Sequence, residues 1–373
     1  MIAPRIIWWI VGIVVGFGAV AVLTLAMPVQ MWRTGRAPVA TLALAPGGPV
    51  VGPAERIWID TDAACGAGPR TDPDDCFAIA LLFKSRGEHI AGISTVFGNA
   101  ALFVTDKTTR VLLKQLSFGQ EPAIEVQMGA AFPVDDPASL AATPAREALR
   151  EALLEGPLTI ISLGPLTNIA AALDQRPELQ ANVKMLIAVM GHRPGHIFHP
   201  TEGADGAILF GHGPIFRDFN FSQDKEATAR IVSMQLPLIL IPYDAARTLA
   251  LNDADLADLS RAGDAARWIA QRAGGWLAFW KDDIGQAGFY PFDLAAAAYV
   301  LHPASFYCAT AEARVTNDGS LWTSWIFSPQ ALLVGPDIHS QNEGDARALV
   351  TYCPHARPGL KDILIAKMVA RRS

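Results

Sequence analysis

Charge is scarce in this chain of 373 residues: Lys, Arg, Asp and Glu make up 18% of it, and 30 basic against 36 acidic residues leave a net charge of −6. No stretch is dense in Lys or Arg. That excludes sequence-independent binding to nucleic acid, which needs a basic surface to displace counterions from phosphates. Four cysteines are too few for a fold built on disulfides. Neither GxxxxGK nor GxSxG occurs, so a P-loop nucleotide hydrolase and a nucleophile-elbow esterase are both unsupported. Regularly spaced His and Cys pairs are missing too, which makes a zinc centre unnatural. No internal repeat is evident.

What the sequence does have is apolar residues, 51% of the total. Ile6 to Met27 carries no charge, and a helix rising ~1.5 Å per residue over that run crosses a hydrocarbon core of ~30 Å. The run exceeds the ~7 to 15 apolar residues of a cleaved signal peptide, so it reads as an uncleaved transmembrane signal anchor and makes the membrane an expected partner. Arg5 on one side roughly balances Arg33 and Arg36 on the other, so flanking charge does not orient it. Residues 28–54, rich in Pro, Gly, Ala and Val, read as a linker to a body spanning 55–373. The cysteines form an even set, Cys65 and Cys76 near the start of the body and Cys308 and Cys353 near its end. An oxidising compartment would place the body on the extracytoplasmic (periplasmic) side; buried reduced thiols are the equal alternative.

Within the body, short apolar runs alternate with helical patterns: IWID ending at Asp60, DDCFAIALLFKSRG, HIAGISTVFGN, TDKTTRVLLKQL, then PLTIISLGPLTNIAAALDQ, VKMLIAVMG and LPLILIPYDAAR. This is the rhythm of βαβ units and predicts an α/β fold with an open, mostly parallel sheet flanked by helices. Ligands of such sheets bind beyond the carboxyl ends of the strands. Those ends are acidic here: Asp60 and Asp62 close the first strand, Asp72, Asp74 and Asp75 precede or open the next helix, and Asn99 closes the second strand. Clustered carboxylates repel one another, and a hard divalent cation with oxygen ligands relieves the repulsion. Asp74 and Asp75 would also favour a helix N-terminus without any metal.

In order along the chain stand Asp60-Thr61-Asp62, Asp74-Asp75-Cys76, STVFGN ending at Asn99, TDKTTR, GPLTNIAAAL from Gly164, AVMG around Met190, DFNFSQDKEA from Asp218, IPYDAAR, and PFDLAAAAY around Asp293. This ordered set resembles the inosine-uridine preferring nucleoside hydrolase family, over nearly everything from about residue 56 onward. The resemblance implies calcium-dependent hydrolysis of the N-glycosidic bond of ribonucleosides. It makes Asp62, Asp75 and Asp293 carboxylate ligands of Ca2+, Leu163 a backbone-carbonyl ligand, and Asp62 also the base that takes the proton of water. Asp74, Asn99 and Asn220 correspond to ribose contacts, Asp218 stands where the family usually has Glu, and Met190 matches a position beneath the sugar. A nucleoside is then the expected partner, with a possible homo-oligomer.

Three departures stand out. Eleven residues, Ala63 to Pro73, separate Asp62 from Asp74 where the family pattern is much shorter, so this insertion must loop out; Asp72 in place of Asp74 is an alternative register. Phe292 occupies the position where many members carry a His proposed as leaving-group acid, and Phe has no proton to give. His212 stands where an Asn would bind the 5′ end of the sugar. An aromatic wall or a histidine from the segment holding His192, His196, His199 and His212 would have to serve the departing base, with purines slightly favoured over pyrimidines. That segment also holds Pro194, Gly195, Pro200 and Gly203 and reads as a solvent-facing loop rather than a metal site. Trp276 and Trp280, one helical turn apart, border a base pocket or pack in the core. A haloacid-dehalogenase-like phosphatase would also use Asp60-Thr61-Asp62, but Ala64 stands where its motif needs Thr or Val, and GPLTN is left unexplained. A membrane-anchored, calcium-dependent nucleoside-binding protein lacking efficient catalysis is the alternative that Phe292 favours.

Overall fold

Period-two alternation in the strands sorts their side chains onto two faces and decides the architecture. Ile57 and Ile59 join one core cluster while Trp58 joins another; Met185 and Ile187 are divided from Leu186 and Ala188 in the same way, and Ile239 from Leu238 and Leu240. A sheet buried on both faces is the parallel kind, covered by crossover helices. The computed structural model describes residues 42–118, 123–136, 142–194, 196, 218–318, 330–336, 338 and 344–370. The expected anchor at 6–27 lies outside them, and among the described residues no helix is long and apolar enough to cross a membrane.

The strands are β1 (Ala45–Pro46), β2 (Ile57–Thr61), β3 (Ile90–Thr95), β4 (Val126–Met128), β5 (Leu158–Ser162), β6 (Val183–Ala188), β7 (Leu238–Leu240), β8 (Leu251–Asn252), β9 (Gly288–Phe289), β10 (Phe306–Asn317), β11 (Gln330–Val334) and β12 (Arg347–Ala356). The main sheet runs β1-β10-β12-β7-β6-β5-β2-β3-β4, with β11 also on β10; β8 and β9 pair separately. From β12 to β4 every pairing is parallel, as the βαβ rhythm predicts, whereas β10 is antiparallel to β1, β11 and β12. Part of the expected linker is tied to this edge: β1 pairs with Tyr307 and Cys308, Gly47 N–H donates to Phe306 O at 2.8 Å, and Val51 is buried.

The main helices are α1 (Asp74–Arg86), α2 (Leu102–Leu116), α3 (Pro144–Leu154), α4 (Thr167–Leu173), α5 (Phe219–Gln223), α6 (Lys225–Ser233), α7 (Asp253–Ala262), α8 (Asp264–Phe279), α9 (Phe292–Leu301) and α10 (Leu360–Val369). α1 has two acids in its first turn and Lys84 and Arg86 in its last, the arrangement that complements a helix dipole. After β2 the chain moves through α1 to β3 on one side; after β5 it moves through α4 to β6 on the other. α1 packs in one core cluster and α4 in the other. The neighbouring strands β2 and β5 thus send their chains to opposite faces, which opens a crevice at their carboxyl ends.

Asn168, the last residue of GPLTN, locks this switch point. Its Nδ2 donates to Asp60 Oδ1 at 2.8 Å and to Thr95 O at 3.0 Å, and its Oδ1 accepts from Ala130 N–H at 2.8 Å. Asn168→Ala leaves the buried Ala130 N–H without its acceptor, at a cost of about 1–3 kcal/mol, and takes one donor each from Asp60 Oδ1 and Thr95 O, which keep Ser94 Oγ and Gly129 N–H. We expect a loss of roughly 1–3 kcal/mol in unfolding free energy, read as a lower urea midpoint at unchanged slope; an unchanged midpoint would show that Asn168 carries no such role.

Candidate active site

Asp62 follows β2 directly, Asp75 lies in the first turn of α1, and Asp293 in the first turn of α9. Helix N-termini favour negative charge, so two of the three carboxylates sit where the backbone itself stabilises them. One oxygen from each of Asp62, Asp75 and Asp293 lies within 4.8 Å of the others, all three residues are buried, and together they could hold a metal ion. The eleven-residue insertion does loop out, closed at its base by a disulfide between Cys65 and Cys76, so both of its ends still reach the cluster. A second disulfide joins Cys308 of β10 to Cys353 of β12.

The surrounding hydrogen bonds orient the carboxylates. Asn99 N–H donates to Asp62 Oδ2 at 2.9 Å, and its side-chain amide donates to Asp75 Oδ2 at 3.1 Å and to Asp62 Oδ1 at 3.4 Å. Thr61 Oγ1 donates to Asp75 Oδ1. Asp74 Oδ1 accepts from Asp75 N–H at 3.1 Å and its Oδ2 from Asp293 N–H at 3.0 Å, tying the starts of α1 and α9 together. Asp72 accepts from Asp74 N–H at 3.2 Å, so the two candidate registers are neighbours within one acidic rim. Gly98 has φ +155°, and a Cβ there would collide with Asp62 Oδ2, so only glycine admits the carboxylate at this place.

Burial is the main reason that Asp62 and Asp293 are pushed well above the ordinary carboxylate range, with the charges of the neighbouring aspartates adding to it; Asp75 rises to about 7, by burial and then by Asp74. Asp60 also rises to about 7 through burial, but it faces Ser94 and Asn168 rather than the cluster.

Beside the cluster opens a cavity of about 390 Å³, within the usual range for small-molecule sites. Asp74, Asn99, Leu163, Met190, Asp218, Asn220, Phe292 and Asp293 all line it, which brings the expected residues to one place. Several have work within the protein. Asn220 Nδ2 donates to Leu163 O at 2.8 Å and Val189 O at 3.1 Å, and Asp218 Oδ2 accepts from Gly191 N–H at 2.7 Å while capping α5. Phe292 packs on Tyr243, ring centroids 5.3 Å apart. Of the two tryptophans, Trp276 lines the cavity and Trp280 is fully buried in the core.

The histidine segment differs from the solvent-facing loop expected. His192 and His196 are 5% and 1% exposed, because His192 bridges to Leu333 of β11 and the His196 ring packs edge-on against Tyr243 at 5.5 Å, with Nδ1 3.6 Å from Asp244. His199 and His212 lie outside the described residues. Tyr243, Phe219 and Arg70 also line the cavity and were not singled out: Tyr243 and Phe219 lie inside the IPYDAAR and DFN segments with no chemistry of their own to mark them, and Arg70 is one residue of the insertion.

The family model described as inosine-uridine preferring nucleoside hydrolase matches residues 57–343. The chain belongs to the inosine-uridine preferring nucleoside hydrolase family. As a member it is an N-ribosyl hydrolase by class. Its relatives include a protein described as non-specific ribonucleoside hydrolase RihC from Klebsiella pneumoniae subsp. pneumoniae, 26% identical over 280 residues that cover 68% of this chain and 84% of that protein. A further RihC, from Escherichia coli O6:H1, is 27% identical over 277 residues, 67% of this chain and 80% of that protein. Among solved structures, a plant nucleoside hydrolase, PpNRh1, superposes with a TM-score of 0.65 at 19% identity, covering 85% of this chain and all 100% of the other. A purine-preferring ribonucleoside hydrolase from Gardnerella vaginalis gives 0.58 at 15%, covering 84% and 98%. These two share the nucleoside hydrolase-like fold.

The raised carboxyls give a pH-dependent expectation. Without a cation, the folded family member holds more protons than its unfolded chain, whose carboxyls titrate near 3.8. The stability this confers is complete below that value and is lost as pH rises through the folded values, about 7 for Asp75. With chelator present the Tm should fall from about pH 5 to about pH 8, and an added divalent cation should raise it more at the upper end. An equal cation shift at both ends would contradict the cluster as its binding place.

Proposed function

We propose that this protein hydrolyses the N-glycosidic bond of ribonucleosides to a free base and ribose, with Ca2+ as its resident ion. The observation that carries the reading is the convergence of three buried carboxylates at the sheet's switch point, beside a nucleoside-sized cavity that Asp293 lines. The donor set fits a hard cation: Asp62, Asp75 and Asp293 offer only oxygen, Leu163 lines the adjoining cavity, and no Cys or His joins the cluster among the described residues. When bound, such an ion supplies positive charge that offsets the carboxylates and attracts water and sugar hydroxyls.

The chain's own groups then have separable tasks. Asp62 takes a proton from the attacking water, held for it by Asn99. Loss of the base builds positive charge on the sugar ring, and the acidic floor stabilises that oxocarbenium-like state. Asp74, Asn99, Asp218 and Asn220 face the ribose, Met190 packs beneath it, and Phe292 with Tyr243 and Trp276 forms an apolar wall. The specificity named for the relatives, ribonucleosides taken broadly, agrees with this reading. Phe292 favours a second one, a nucleoside-binding protein without efficient turnover.

Asp62→Asn removes a ligand and the base together, and should lower kcat by about 100-fold or more, whereas Asp258→Asn, on an exposed face of α7, should leave it near the parent value. Chelation should abolish turnover and Ca2+ restore it. Ca2+-dependent nucleoside binding with no turnover by the parent protein would instead establish the second reading.

We also propose that residues 6–27 tether the protein to a membrane with the body on the extracytoplasmic side, on the strength of the charge-free run and of two disulfides that suit an oxidising compartment. Protease added to intact cells, with the outer envelope opened, should digest the body; protection until the inner membrane is breached would refute it.

A further inference from the structure

The cavity has an acidic floor and, among the described residues, one cation on its lining, Arg70. That residue comes from the insertion between Asp62 and Asp74, and the insertion is held in place by independent ties. Cys65–Cys76 closes its base. The Pro69 carbonyl lies against α8, 2.7 Å from where a Cβ at Gly275 would stand, so the loop seats on a helix surface with no side chain beneath it. Arg70 itself lies over the Phe279 ring, 5.0 Å from guanidinium carbon to centroid, and Phe279 packs on Trp276 of the apolar wall.

How the guanidinium is anchored decides what it can do. Nη2 donates to both oxygens of Asp283, at 3.0 and 2.9 Å. Nε and Nη1 donate to no group among the described residues. Asp283 engages Nη2 alone, so N–H groups at Nε and Nη1 are left to donate, on a cavity lining that also holds Trp276 and Phe292.

We propose that Arg70 is the leaving-base residue of this enzyme: its N–H groups not taken by Asp283 hydrogen-bond the acceptor side of a 6-oxopurine, O6 and N7, and stabilise the negative charge that the base acquires as it departs. A guanidinium matches two adjacent acceptors, while the 6-amino group of adenine sets a donor against a donor. No proton leaves the arginine. The C1′–N9 bond breaks with its electron pair going to the purine; water oxygen bonds to C1′ and its proton passes to Asp62; the purine anion, held by the N–H groups, takes a proton from solvent, to which Asp62 returns its own. The sum is nucleoside plus water giving base plus ribose. This assignment deepens the hydrolase reading and rests on it.

The test compares kcat and KM of the full-length protein on inosine, adenosine and 4-nitrophenyl riboside, whose leaving group needs no assistance. The parent should prefer inosine to adenosine. Arg70→Gln should lower kcat on inosine by about 100-fold, the usual effect of losing one donor aimed at developing charge, bring the inosine-to-adenosine ratio towards one, and leave the nitrophenyl riboside within about two-fold. Arg70→Lys keeps the charge but not the fork, so it should recover part of the inosine rate and none of the discrimination. Loss on the nitrophenyl riboside in parallel with inosine would mean that Arg70 only holds the loop, and undiminished inosine turnover would mean that it does not touch the base; either result overturns the proposal while leaving the hydrolase reading intact. A parent protein that turns over none of the three substrates overturns both.

Discussion

Mutual repulsion among carboxylates gathered where water is excluded is the constraint around which this protein is arranged. Asp62, Asp75 and Asp293 come from three separate elements, and each is dehydrated; together they place negative charge where the interior tolerates it least. Two helix N-termini, the Asn99 amide and the backbone of Asp293 acting on Asp74 lessen the cost without removing it. The remainder has to be met by protons or by a cation. Seen this way, the sheet topology is a means of delivering charge: only where β2 and β5 diverge to opposite faces can strand ends and helix starts meet around one open volume.

The same constraint explains why the acidic centre was legible in the sequence while its surroundings were not. Carboxylates at strand ends and helix starts are conspicuous because nothing about strand propensity or helix packing asks for so many of them; Asp62, Asp75 and Asp293 meet in one cluster, and Asp74 and Asp293 line the cavity beside it. Alternating apolar residues likewise announce the parallel strands. The antiparallel edge made by β10, β11 and β12 went unread, since that stretch carries neither the tight turn nor the crossover helix that makes a βαβ unit recognisable. His192 and His196 were misread because Pro and Gly nearby suggest a loop in water; burial came from β11 and Tyr243, partners remote in sequence. Arg70 was invisible for a related reason. Its meaning depends on Asp283 and Phe279, more than two hundred positions away, and no local pattern encodes such a meeting.

Position by position, the site divides into a floor that is polar and over-determined and a rim that is not. On the floor, replacement of almost any group disturbs another: Asn99 contacts two aspartates, Asp74 touches two helices, and Gly98 has no room for a methyl group. At the rim, Trp276, Phe292 and Tyr243 line the cavity with apolar surface, and Phe292 packs on Tyr243; substitutions of similar volume are tolerated best there.

The disulfide at the base of the insertion gives that division an evolutionary dimension. Cys65 and Cys76 stand eleven positions apart at the two feet of the loop, and the cross-link removes about 3 kcal/mol of chain entropy from the unfolded state. Because entropy grows only slowly with loop length, residues between the two feet can be lengthened, shortened or exchanged at small cost while the cysteines keep hold of both ends. The insertion thus becomes a replaceable module clipped onto the acidic floor, and a chain carrying this staple can alter its rim without disturbing the carboxylates beneath it.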